Sequence, residues 1–241
     1  MRIPRIYCPQ PLNANSNIAL DDKASHHLLK VLRMQNGREL IVFNGEGGEY
    51  SATIVKQDKK VAHIQTGDFQ DMCKESALNT HLAIGISKGD RFDWVIQKAT
   101  ELGITEITPL FTERTEIKLS GERLEKKMTT WKNILIGACE QSQRNTLPIL
   151  NNPIKVHDFL STSHAELKLV LHHRTEKKLS QYETPNSICC LVGPEGGLSD
   201  NEIESAEQQG FNALALGPRV LRTETAPLVA LTSVQLLWGD L

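Results

Sequence analysis

Aromatic side chains, paired cysteines, long apolar runs and charge of one sign are all scarce in this sequence, and each shortage excludes something. Three Trp, three Tyr and six Phe make up 5% of the chain. That is too few for a surface that grips RNA by stacking successive bases on exposed rings. The cysteines, Cys8, Cys73, Cys139, Cys189 and Cys190, are odd in number and form no C-x-x-C pair. Cys189 and Cys190 sit in an apolar run, where a free thiol behaves as a small hydrophobe. Reduced core cysteines in a cytosolic protein are therefore expected. No stretch approaches the roughly 20 apolar residues of a membrane span. Met1-Arg2-Ile3-Pro4-Arg5 also lacks the apolar core of a signal peptide. A soluble, cytoplasmic chain is the expectation. With a formal net charge of −2, any nucleic-acid site must be a local basic patch.

What the chain does have is enough length and apolar content for a core. Its 241 residues, 39% hydrophobic and 23% charged, suit one large domain or two modest ones. Two rhythms meet near residues 70–78. Before that point, short alternating runs at 39–43, 50–55 and 61–64 are separated by Asn44-Gly45-Glu46-Gly47-Gly48 and Asp58-Lys59-Lys60, the pattern of a small β-barrel or meander. One helix is predicted from Asp22 to Met34, ended by Asn36-Gly37. From Thr80 on, strands and helices alternate: strands at 82–86, 104–111, 167–171, 188–192 and 213–216, helices at 91–102, 122–144 and 199–209. Phe92, Val95, Ile96, Ala99 and Leu102 recur at helical spacing, and Gly103 supplies a stop. Ser199 and Glu202 form a capping-box signature. Thr225 is positioned to cap the last helix, with Pro227 in its first turn. Such alternation predicts an α/β domain with a mainly parallel sheet.

Chemistry concentrates between Leu169 and Leu228. Three predicted strands end in unusual loops: Leu171-His172-His173, Gly193-Pro194-Glu195-Gly196-Gly197, and Gly217-Pro218-Arg219-Val220-Leu221-Arg222-Thr223-Glu224-Thr225-Ala226. Ligands of open α/β sheets lie outside the carboxyl ends of the strands, so these loops are expected to line one crevice. Glycine lets backbone approach a ligand closely. Neither a phosphate-cradling P-loop nor a dinucleotide fingerprint is present. A flat adenine held by backbone hydrogen bonds fits the loops better; ordinary turns are the alternative. His172 and His173 lack a third partner at metal-ligand spacing, and no metal is expected.

The G-P-E-G-G block and the following L-G-x-R-V-L-R-x-E-T-A block closely resemble the 16S ribosomal RNA uridine-N3 methyltransferase family, within the SPOUT superfamily of knotted methyltransferases. The resemblance also covers His26 to Arg33, Lys88 to Arg91, Lys98 to Gly103 and Ala138 to Arg144, in the family's order and over nearly the whole chain. It implies a PUA-like RNA-binding β-barrel at 1–72 and a knotted α/β methyltransferase domain at 73–241. It implies S-adenosylmethionine as cofactor, a homodimer, and 16S rRNA of the small ribosomal subunit as partner, with uridine-1498 as target. Two rivals are a non-catalytic RNA-binding assembly factor and a methyltransferase of this fold acting at another RNA position.

On that resemblance the cofactor is expected at Leu171, Gly193, Pro194, Glu195, Gly196, Leu216, Gly217, Leu221, Arg222, Thr225 and Ala226. Methyl transfer to uracil N3 requires loss of a ring proton, in-line approach and a fixed base. Arg222 would stabilise negative charge developing on a uracil oxygen, since a guanidinium stays protonated; otherwise it pairs with Glu224 or caps its loop. Glu224 is a candidate base or an orienter of Arg222. Glu195 either contacts the cofactor or is solvated. Candidate RNA contacts are Arg2, Arg5, His26, Lys30, Arg33, Arg91, Glu140 and Arg144. His26, Lys30 and Arg33 would share one face of a regular helix, with Leu28, Leu29 and Leu32 packing the other side. Glu140 and Arg144 line the active cleft or form only a surface pair.

Overall fold

The computed structural model describes residues 3–172 and 178–241. The chain forms two compact units. One comprises Met1–Glu75 with Cys139–Leu147, the other Ser76–Ala138 with Pro148–Leu241. Residues 139–147, expected with the C-terminal domain, thus group with the N-terminal unit.

The first unit is a five-stranded sheet in the order β1-β3-β4-β5-β2, from β1 (Arg5–Tyr7), β2 (Asn17–Ala19), β3 (Glu39–Phe43), β4 (Glu49–Asp58) and β5 (Val61–Gln70). Alternation along the strands sends Leu40, Val42, Ala52, Ile54, Ala62 and Ile64 into its core. The predicted helix is shorter and less regular than its periodicity suggested. Regular α1 covers Asp22–His26, capped by Asp21, whose carboxylate accepts from Ala24 N–H at 2.7 Å. A widened π turn, His27–Val31, follows, in which Leu32 N–H reaches back to His27 O at 2.9 Å. Arg33 then takes φ +51°, outside the helix. The even i, i+4, i+7 spacing of His26, Lys30 and Arg33 is broken. Leu32, expected to pack inward, is exposed, while Leu28 is buried.

The second unit carries a seven-stranded sheet in which every pairing is parallel. Its strands are β6 (Asn79–Gly85), β7 (Glu106–Phe111), β8 (Ile149–Leu150), β9 (Ile154–Lys155), β10 (Leu167–Leu171), β11 (Ser187–Val192) and β12 (Asn212–Leu214). The order is β12-β10-β11-β6-β7-β8, with β9 also on β7. Strands covered on both faces read as continuous apolar runs, and β11 is buried throughout beyond Ser187.

Helices α2 (Arg91–Glu101), α3 (Gly121–Ser142), α4 (Val156–Leu160), α5 (Asp200–Gln208) and α6 (Thr225–Trp238) complete this part of the chain. Phe92, Val95, Ile96 and Ala99 of α2 are buried as their spacing predicts, and Gly103 takes φ +81° just past the helix. Phe92 packs on Trp131 of α3 at 4.5 Å between ring centres, and the indole N–H donates to Asp93 at 3.0 Å. The capping box of α5 is present: Ser199 Oγ accepts from Glu202 N–H at 3.2 Å, and Glu202 accepts from Ser199 N–H at 2.8 Å. At α6 the capping residue is Glu224 rather than Thr225, and its side chain makes no cap bond.

Cys8, Cys139, Cys189 and Cys190 are buried free thiols, but Cys73 is exposed. Burial pushes the Cys189 thiol up to about 12, and that of Cys190 up as well, so both stay protonated. No helix of the described residues is long and apolar enough to cross a membrane.

Candidate active site

Parallel pairing puts the carboxyl ends of all these strands on one edge of the sheet. There β10, β11 and β12 end at Leu171, Val192 and Leu214, and the residues beyond them enclose a cavity of about 440 Å³. Of the residues expected to hold a cofactor, Leu171, Gly193, Pro194, Glu195 and Gly196 line it from the first two loops. Leu216, Gly217, Leu221 and Ala226 line it from the third. Arg222 and Thr225 do not. Thr225 opens α6, and its N–H, like that of Ala226, donates to Arg222 O at 2.9 Å, a turn that leaves the Arg222 side chain exposed.

The glycines are dictated by close approach. A Cβ on Gly193 would lie 2.6 Å from Leu198 N and 2.7 Å from Gly197 C, because the loop folds back on itself. Gly197 takes φ +70°, and its N–H donates to Pro194 O at 2.8 Å. Thr223 Oγ donates to Gly193 O at 3.0 Å, tying the third loop to the second. At the end of β6, a Cβ on Gly85 would meet Pro194 N and Cδ at 2.6 Å. The carbon of a Gly85 side chain and the GPEGG turn cannot share that space.

Charged groups brace the same loops. Glu195 Oε1 accepts from Lys88 N–H at 2.8 Å and from Arg91 Nη1 at 2.9 Å. Partial burial opposes ionisation there, yet its own amide, Lys88 N–H and the Arg91 guanidinium hold the Glu195 carboxyl below its ordinary value. Glu195 is therefore tied to the start of α2, which neither cofactor contact nor free solvation had anticipated. Arg91, expected to meet RNA, also lies 3.9 Å from Glu224 and bridges the two loops. Among the described residues no ion pair joins Glu224 to Arg222. The Arg222 guanidinium makes no ion pair or side-chain hydrogen bond among them either.

Arg114 and Asp200 line the cavity from outside the three loops read from the sequence, while Arg219, Val220 and His172 line it from within them. Arg114 follows β7, and its Nη1 donates to Gly196 O at 2.8 Å and Leu198 O at 3.1 Å. Asp200 begins α5, and Arg219 and Val220 form the rim, with Val220 95% exposed. His172 lies in the wall, its Nε2 3.8 Å from Glu207. A usable signal existed for Arg114: Thr112-Glu113-Arg114-Thr115 is a polar cluster directly after an apolar strand, on the sheet edge where ligands bind. Among the described residues no group of three His, Cys, Asp or Glu side chains is arranged to hold a metal. His173 and Arg2 lie outside the described residues.

The remaining basic candidates belong to the first unit, and two of them face inward. Arg5 is 8% exposed, with Nη1 2.6 Å from Glu49 and Nη2 on Asn145. Arg144 is 3% exposed and forks onto Glu75. Glu140 accepts from Tyr7 N–H at 2.9 Å, and burial raises its carboxyl pKa. It pairs with backbone, not with Arg144 as a surface couple. Arg5 and Glu140 fasten residues 139–147 to β1 of their unit, and Arg144 ties them to Glu75. His26, Lys30 and Arg33 are exposed.

Comparison with known proteins agrees with this geometry. Residues 74–235 match the family described as an RNA methyltransferase domain, and residues 20–66 match the RNA methyltransferase PUA domain. The ribosomal RNA small subunit methyltransferase E of Buchnera aphidicola from Schizaphis graminum is 37% identical over 100% of this chain and 98% of its own length. The chain belongs to the ribosomal RNA small subunit methyltransferase E family. A solved Neisseria gonorrhoeae member, bound to S-adenosyl methionine, shares 37% identity with a TM-score of 0.93 and covers 99% of each chain. A Legionella pneumophila methyltransferase solved in complex with the bound cofactor SAM shares 42% identity, a TM-score of 0.98 and 100% of each chain. An α/β methyltransferase domain with a parallel sheet, following an N-terminal PUA-like domain in the chain, is what the sequence blocks implied.

Proposed function

We propose that this chain transfers a methyl group from S-adenosylmethionine to N3 of a uridine in 16S rRNA, at uridine-1498, in the bacterial cytoplasm. The observation that carries the reading is the cavity at 193–197 and 214–226, walled by backbone that no side chain could replace at Gly193. That S-adenosylmethionine is bound in the solved N. gonorrhoeae and L. pneumophila relatives supports reading the cradle as its site. Gly193, Pro194, Gly196, Leu216, Gly217, Leu221 and Ala226 would hold it, with Leu171 beneath. When bound, the donor supplies an electrophilic sulfonium methyl. The N3 proton would pass to a base, for which Glu224 is the candidate, as the methyl moves from sulfur to N3 and the sulfonium is left as a neutral thioether. Arg222, exposed and with no ion pair among the described residues, would meet the negative charge that builds on a uracil oxygen. Glu224 keeps both its candidate roles, base or orienter, but its present partner is Arg91.

The decisive experiment incubates the protein with labelled donor and small subunits lacking the modification, then locates the methyl by mass spectrometry. Label on a ribose oxygen or on transfer RNA would overturn the assignment. Donor-independent RNA binding with no transfer would favour a non-catalytic assembly factor. Arg222→Ala is expected to lower kcat by about a hundredfold, the scale of one lost transition-state donor, while calorimetric donor affinity stays unchanged. Full activity would remove Arg222 from the chemistry.

A homodimer suits α6, which buries Ala230, Leu231 and Val234 yet exposes Val229, Leu236 and Leu237. A second copy covering that face is our reading. For RNA, the exposed Lys30 and Arg33 are the proposed phosphate contacts, with His26 beside them. Removing both Lys30 and Arg33 is expected to reduce the salt dependence of RNA binding by roughly two counterions, measured as the slope of log K against log salt.

A further inference from the structure

We propose that Arg114 is a positioning residue that holds the Gly196–Leu198 turn in its donor-binding shape; the proposal rests on the methyltransferase reading of the cavity. Its guanidinium donates to Gly196 O at 2.8 Å and to Leu198 O at 3.1 Å, two carbonyls flanking the left-handed Gly197. Its stem lies flat on the turn: a Cβ on Gly196 would come within 3.1 Å of Arg114 Cβ and 3.4 Å of Cδ. One side chain thus clamps the turn by hydrogen bonds and by contact. Both bonds leave one nitrogen, Nη1, whose two hydrogens are fixed in the guanidinium plane; a freely rotating lysine ammonium on a different stem keeps the charge but not that fixed direction.

The clamp has a fixed base. Thr112 N–H donates to Thr115 Oγ at 3.0 Å, and Thr115 N–H returns to Thr112 O at 3.1 Å, locking the four-residue turn that carries Arg114. Glu113 N–H donates to Glu202 Oε1 at 2.8 Å. Glu202 is 6% exposed, and its other oxygen accepts from Ser199 N–H, the residue directly after Leu198. The end of β7, the start of α5 and the GPEGG turn therefore form a closed ring of bonds, and Arg114 is the side chain that closes it onto the turn. A turn held before the ligand arrives binds more tightly, because its ordering entropy is already spent.

The test titrates S-adenosylmethionine into the full chain and into Arg114→Ala, Arg114→Gln and Arg114→Lys, alongside steady-state kinetics. Arg114→Ala is expected to raise the donor Kd and KM about tenfold, with kcat at saturating donor within about twofold, because the clamp acts on binding and not on chemistry. Arg114→Lys should recover part of the loss and Arg114→Gln little. Amide exchange at Gly197, measured without donor, should quicken in Arg114→Ala. Unchanged donor affinity with unchanged Gly197 exchange would overturn the proposal, as would a fall in kcat with KM intact. A wild-type chain that takes up no donor would sink the methyltransferase reading instead, and the exchange rate at Gly197 would then decide Arg114 alone.

Discussion

Gly193→Ala is expected to weaken S-adenosylmethionine binding by about a hundredfold, a loss of about 2.7 kcal/mol. The new methyl carbon would sit 2.6 Å from Leu198 N, 2.7 Å from Gly197 C and 2.9 Å from Gly197 Cα. All three are backbone atoms, so no side-chain rotation relieves the clash. The GPEGG loop must open, carrying with it the Thr223 bond to Gly193 O and the Arg114 bonds to Gly196 and Leu198. Gly85→Ala attacks the same turn from the other side, where the obstacle is Pro194. Gly217→Ala makes the useful contrast. Nothing lies within 4 Å of its Cβ position, but its φ of +87° disfavours alanine. It should cost only about 1–2 kcal/mol of local strain. Calorimetric titration of all three, with thermal melts as the control for folding, separates a shaped cradle from an incidental turn. A Gly193→Ala protein that binds donor normally would show that the cavity is not the donor site.

Backbone rules carried the legible part of this molecule. The alternation of strands and helices, the Ser199–Glu202 box and the stop at Gly103 depend on nearest-neighbour chemistry, which a sequence displays directly. So does the placing of three loops at one sheet edge, since parallel strands leave no other option. The helix at 22–34 was misread because a π turn keeps the apolar pattern while adding a residue to the hydrogen-bond ring. The loop charges were misassigned for a different reason. Glu195, Arg91 and Glu224 lie up to 133 positions apart, and the salt bridges among them exist only once β6, β11 and the third loop are adjacent. Arg114 was missed on the same ground, its partners Gly196 and Leu198 being more than 80 positions away.

Arg5 and Arg144 show how far a charge reading by residue type goes astray, and Arg5→Ala should show it in solution. From the sequence Arg5 is expected to contact RNA phosphate, and Arg144 to reach the target in the cleft or pair with Glu140 on the surface. In the fold the Arg5 guanidinium sits against Glu49 and Asn145, with side-chain exposures of 5% and 6% for the ion pair. Asn145 closes the triangle by donating to Glu49 at 3.0 Å and to Met72 O at 3.0 Å. Removing the cation leaves a carboxylate in the interior with a single amide for company, which costs about 3–5 kcal/mol for a buried pair broken on one side. The melting midpoint is expected to fall on the order of 10 °C. Arg5→Met combined with Glu49→Leu should recover most of that loss, because two apolar groups of similar volume replace the pair without stranding a charge. RNA binding supplies the second readout. At temperatures where Arg5→Ala remains folded, its salt slope should equal that of the wild type, whereas loss of Lys30 and Arg33 flattens it. A flattened slope in Arg5→Ala, with the midpoint unmoved, would return Arg5 to the RNA-facing surface.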